Sequence, residues 1–221
     1  MYNYDRAILD DHIFNFIYGC ALHDAVLQKA FKGERTWIAD VTEAKETVKK
    51  YIACIVKGDF KNADNETKKK HEDFFLKTAK EVCNQINNSN FKPTNVSVGN
   101  FTFGNAQKLI NMTVKHVYAH TYSIHLLDYV PIRDHFRHCH CPMDSIMLGK
   151  VWKEYKNVYN QSQRKSDLGD NEYFCQSWGN EDFDLNGGQP CRYKKFQEAI
   201  KNIIDKNQGN IFPIEYDYIF W

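Results

Sequence analysis

A lysine and an aspartate stand near two helix beginnings in the middle of this 221-residue chain. Lys108 follows Phe101-Thr-Phe-Gly104-Asn105-Ala-Gln107, a glycine turn that feeds an apolar run. Asp144 lies in Cys141-Pro-Met-Asp144-Ser-Ile-Met-Leu148. Pro142 suits the first position of a helix, where its missing N–H costs nothing, and that register makes Asp144 the third helical residue. Free backbone N–H groups and the positive end of the helix dipole then favour the ionised carboxylate. A fixed carboxylate close to an amine suits the cleavage of an N-glycosidic bond. That reaction builds positive charge on the sugar, which a carboxylate stabilises, and a lysine amine can attack C1′ and form a Schiff base. Each residue also has an ordinary reading: an acid in a first helical turn steadies the helix, and a lysine is solvated or salt-bridged.

The elements that must hold these two groups read as helices. Residues 5–31 suggest one or two helices interrupted near Gly19. Asp40 with Glu43 three residues on has the form of a capping box. It opens a helix whose stripe is Ala44, Val48, Tyr51, Ile52 and Ile55, ended by Gly58. A polar loop over 59–70 leads to a second stripe of Phe74, Phe75, Thr78, Val82 and Ile86, which Asn87 to Asn90 break. The strongest helical pattern runs from just after Gly104 to about His125, with Ala106, Leu109, Ile110, Thr113, Val114, Val117 and Tyr118 inward. A helix from Pro142 to about Tyr159 buries Met143, Ile146, Met147, Val151 and Trp152, and 160–190 reads mostly as loop. Pro190 opens a last clear helix with Tyr193, Phe196, Ile200 and Ile204 inward. The tail from Ile211 to Trp221 fits a strand or a short helix from Pro213 equally. No alternation of strands and crossover helices exists, so the fold class is all-α. The chain is one domain over 1–221, or two lobes: about 1–100 with the C-terminal segment, and about 101–160.

At these two segments the chain resembles the helix-hairpin-helix DNA glycosylase superfamily. Phe103-Gly104-Asn105-Ala106-Gln107-Lys108 stands for the glycine hairpin and Pro142-Met143-Asp144-Ser145 for the segment that carries the family's aspartate. The 36-residue interval between Lys108 and Asp144 is closest to the archaeal 8-oxoguanine glycosylase type, as is the Gln107-Lys108 string leading an apolar helix. The resemblance spans about 45 residues. It implies a two-lobed helical glycosylase-like fold and excision of a damaged or modified base from DNA, in repair or antiviral defence. By that resemblance Lys108 is the Schiff-base nucleophile, Asp144 stabilises the sugar cation or activates water, and the backbone at Gly104 binds a DNA phosphate. Asn105, Gln107, Arg133 and Arg137 are further DNA contacts, and the target base is flipped into a pocket. The four-cysteine motif of some members is missing, so no iron–sulfur cluster, and no other cofactor, is expected.

Charge is compatible with a polyanionic partner only locally. The whole chain carries 29 basic and 28 acidic side chains, but residues 101–165 hold nine Lys/Arg against four acids, a local net of +5. Two other functions use the same region. One is a non-catalytic helical module docking nucleic acid or protein on the basic link. The other is a zinc-dependent hydrolase built on His116 and His120, four residues apart, with His135, His138, Cys139, His140 and Cys141. Trp37, Trp178, Trp221, Tyr216 and Tyr218 are stacking candidates for a base, and core residues by default. Lys68 to Lys70 read as a solvated helix start. Seven cysteines without regular spacing read as reduced thiols of a cytoplasmic protein, with no signal peptide expected. No run approaches the roughly eighteen apolar residues of a membrane span.

Overall fold

The computed structural model describes residues 11–26, 36–92, 99–125, 132–180, 191–207 and 209–220. Among the described residues nine α-helices follow one another: α1 (Asp11–Val26), α2 (Thr42–Lys57), α3 (Asn65–Asn87), α4 (Phe103–His125), α5 (Ser145–Val158), α6 (Gln161–Leu168), α7 (Asn171–Phe174), α8 (Cys191–Lys206) and α9 (Pro213–Phe220). Short 3-10 turns stand at Thr36–Asp40, Arg133–Phe136 and Trp178–Asn180. The described residues contain no strand, as an all-α chain requires, and the tail is helical from Pro213. No described helix is long and apolar enough to cross a membrane.

Helix α4 is the axis of the molecule. Its inward stripe from Ala106 to Tyr118 is buried, α1 lies along it, and α3 and the Trp178–Asn180 turn pack against it. Helix α2 covers α3, whereas α8 gathers α5, α6 and α9 on the other side. The buried side chains of all these helices form one continuous apolar cluster.

Local chemistry explains most helix ends. Gly58 ends α2 with φ 82°, and its N–H bonds the carbonyls of Cys54 and Ile55. A Cβ there would also meet the His135 ring at 2.9 Å. The capping box expected at Asp40 does not form. Asp40 belongs to the 3-10 turn, α2 starts at Thr42 and its N-cap Val41 has no side-chain bond to give. A box forms instead at α4, where Asn105 Oδ1 accepts from the Thr102 N–H at 3.1 Å and Thr102 Oγ1 accepts from the Asn105 N–H at 3.3 Å. Helix α1 runs unbroken through Gly19, where an added Cβ would find open space. The 160–190 stretch, expected as loop, holds α6 and α7, the first capped by Asn160 accepting from the Gln163 N–H at 2.8 Å.

Three histidines are packed where α3 meets the link before α5. His71 is fully buried and shares a 2.9 Å hydrogen bond with the Tyr51 hydroxyl. The His140 and His138 rings lie 5.4 and 6.3 Å from it, centroid to centroid. Desolvation holds all three below the ordinary imidazole value, His71 far below and His140 at about 3. The folded state therefore keeps His71 and His140 neutral while the unfolded chain takes protons below about pH 6.5. Their contribution is complete above that pH and is lost as the pH falls below it. Urea unfolding at pH 7 and pH 5 is expected to show a decline of about 1.4 kcal/mol per pH unit from His71 alone. His71→Phe, whose ring fits the same apolar surroundings, should flatten that slope.

Candidate active site

The two residues singled out by type and spacing meet. Lys108 Nζ lies 2.6 Å from Asp144 Oδ2, and each residue keeps only 6% of its surface exposed. Asp144 is the N-cap of α5 rather than its third residue. Its backbone is extended at φ −141°, ψ 175°, and its Oδ1 accepts from the Met147 N–H at 2.8 Å. The expected register fails because Pro142 and Met143 belong to a buried non-helical approach, so the helix starts at Ser145. The shift also turns Ile146 outward, 52% exposed, and leaves Trp152 half-buried, while Met147, Leu148, Val151 and Tyr155 face the core. A cap divides the carboxylate: one oxygen serves the helix and the other serves Lys108.

Two glutamines hold that approach in place. Gln107, the neighbour of Lys108, accepts from the Met143 N–H at 3.1 Å and donates to the Met143 carbonyl at 2.9 Å. Gln197 on α8 treats Cys141 in the same way, at 3.1 and 2.7 Å. The Asn111 amide donates to the Gln107 oxygen at 3.3 Å and to the Tyr193 hydroxyl at 2.8 Å, tying α4 to α8.

A second buried ion pair, not foreseen in the sequence, flanks the first. Lys115 pairs with Asp217 of α9, a carboxylate 1% exposed. Lys115 stands seven residues after Lys108, two turns along one helix face. Cys141 lies between the pairs: burial pushes its thiol up first, Asp217 and Asp144 push it further, and Lys108 and Lys115 oppose them. An i, i+7 lysine pair with a late aspartate was the only available signal, and nothing in sequence links residue 115 to residue 217.

The expected DNA contacts fall differently. Gly104, Asn105 and Gln107 are buried. A Cβ on Gly104 would stand 1.9 Å from the Trp178 carbonyl, so the glycine permits contact between α4 and that turn. The Asn105 amide donates to the Ala25 carbonyl at 2.9 Å, and its oxygen caps α4. All three work inside the protein here, and none offers a free group to a phosphate. Arg133 grips Glu215 through two 2.6 Å bonds and lies over the Phe212 ring. Arg137 bonds Asp134 at 2.7 Å and also lies over Phe212. Exposed cations stand elsewhere, at Lys153 and Lys156 on α5 and Lys165 on α6.

The remaining candidates are placed as follows. Trp37, Trp178 and Tyr216 are core residues, Tyr218 is exposed, and Trp221 lies outside the described residues. The Nε2 atoms of His116 and His120 are buried without a hydrogen-bond partner. His135 and His138 bond the backbone carbonyls of Val56 and Asn62 at 2.8 and 2.7 Å. Among the described residues no group of three or more His, Cys, Asp or Glu gathers as a metal site.

Removing one partner of a buried ion pair leaves an uncompensated charge and costs about 3–5 kcal/mol. Lys108→Met and Asp144→Asn, the second keeping a cap oxygen, should each lose stability of that order in urea unfolding. The double variant should lose clearly less than the sum. Additive losses would mean that the two groups do not interact. No protein family model, curated protein or solved structure matches the chain.

Proposed function

We propose that this protein is a DNA glycosylase that excises a damaged or modified base, with Lys108 as nucleophile and Asp144 as its acid–base and electrostatic partner. The observation that carries the reading is the 2.6 Å contact between a buried amine and a buried carboxylate, brought from two helix beginnings 36 residues apart. A lysine attacks only as the free amine. At this separation Asp144 Oδ2 takes the proton from Lys108 directly. The amine nitrogen then bonds to C1′ as the glycosidic bond breaks. The base leaves with the bonding electron pair and receives the proton held by Asp144, which returns to the carboxylate form. Positive charge on the sugar develops beside that carboxylate, in a site with little water to screen it.

The pair is nearly closed to solvent, so an extruded nucleotide must widen the approach to it. Ser145 and Ile146, exposed directly after Asp144, mark the side from which it comes. Lys153, Lys156 and Lys165 offer the phosphate contacts that the buried Gly104 turn does not. The second pair, Lys115 with Asp217, supplies polar groups next to the first and so can read the edge of the bound base.

The test is base release from duplexes carrying a broad panel of damaged and hypermodified bases. The wild type is expected to produce abasic sites on at least one of them. Asp144→Asn should lower that rate by about 10²–10³-fold. Lys108→Gln should abolish any strand nicking that follows. A wild type that releases no base from any duplex overturns the proposal. Salt-sensitive DNA binding unaffected by both substitutions would then indicate a non-catalytic docking module.

A further inference from the structure

A cavity of about 340 Å³ opens between α3, α8 and the start of α9, and it is not the Lys108–Asp144 site. Neither Lys108 nor Asp144 lines it. Its volume lies within the range of small-molecule sites, whose walls are mostly apolar with a few oriented polar groups. Phe75, Leu76, Ile204 and Phe212 supply the apolar wall.

Two hydrogen-bond donors stand in this wall, on His140 and Arg137. The Asn111 amide donates to the Tyr193 hydroxyl at 2.8 Å, which leaves the hydroxyl proton for His140 Nδ1, also at 2.8 Å. Burial holds the His140 ring below the ordinary imidazole value, and with Nδ1 accepting from Tyr193 the neutral ring carries its proton on Nε2. Arg137 Nε is buried without a hydrogen-bond partner among the described residues, although its Nη2 is engaged by Asp134. An orphaned buried donor is costly, and Arg137 Nε in this cavity wall is explained by an acceptor that is brought in, which the half-buried His140 edge can share. The lining's three carboxylates are outnumbered by four cations, Lys68, Arg137, Lys194 and Lys201. Glu72 faces Lys68 at 3.6 Å, and Glu198 and Asp205 share their stretch of α8 with Lys194 and Lys201.

We infer that this cavity binds a small amphipathic anion, its carboxylate, phosphate or sulfonate on Arg137 and His140 and its apolar body against Phe75, Leu76 and Phe212. The inference is independent of the glycosylase reading.

A fluorescence titration with 1-anilinonaphthalene-8-sulfonate, and with the uncharged N-phenyl-1-naphthylamine, tests it on the full chain. The wild type should bind the sulfonate at one saturable site, about tenfold more tightly than the neutral dye. Arg137→Gln should remove that preference while leaving the neutral dye unaffected. Leu76→Trp, which fills the apolar end, should weaken both dyes. Lys201→Glu, an exposed change that leaves the core untouched, should weaken the sulfonate alone and guards against a misfolded variant. Equal affinity for the two dyes overturns the inference. So does sulfonate binding that none of the three substitutions alters, because the dye would then lie elsewhere.

Discussion

The carboxylate of Asp144 has two obligations, and the centre of the molecule is arranged around them. One oxygen closes the first turn of α5 and the other receives the Lys108 ammonium of α4. A carboxylate and an ammonium leave water only at large cost, which their mutual attraction repays when geometry and additional hydrogen bonds are good. Here the cap bond is the additional one. The same atom group thus fixes a helix start, cancels a buried charge and joins two segments 36 residues apart. A pair of this kind is weak evidence of stability for its own sake, since apolar side chains of similar size serve a core as well. That imbalance is what turns attention to chemistry.

The surroundings spend several polar side chains on precision at this place. Gln107 and Gln197 each clamp the N–H and C=O of one residue in the segment that leads into Asp144. Asn111 and Tyr193 connect the clamps. Every one of these groups is satisfied by another, so the network can be buried without large cost. Its effect is to leave Asp144 little freedom while the extended chain before it remains non-helical. The second pair, Lys115 with Asp217, recruits α9 to the same neighbourhood.

Helices were legible in the sequence because amphipathic periodicity is local: the stripes of α2, α4 and α8 are buried as their spacing requires. Proximity of Lys108 to Asp144 was legible too, because both segments carried start signals and unlike charges. What failed was the register at α5. Pro142 fits a first helical position in isolation, but the tertiary clamps on Cys141 and Met143 keep the chain extended until Ser145. Asn105 and Gln107 bond the protein's own backbone, which their type alone does not reveal. An amide is equally suited to a phosphate and to a buried peptide, and only burial tells them apart. The Asp40 box failed because Thr36–Asp40 had already turned into a 3-10 element. Lys115 with Asp217 was invisible, since no short-range pattern couples residues so far apart.

Peptide mapping of a borohydride-trapped complex tests the central claim most directly. Wild-type protein incubated with base-modified DNA in the presence of borohydride should yield a covalent adduct, and digestion should place it on Lys108. An adduct on any other lysine, or none on DNA from which the protein releases a base, would contradict the assignment of this amine as the nucleophile.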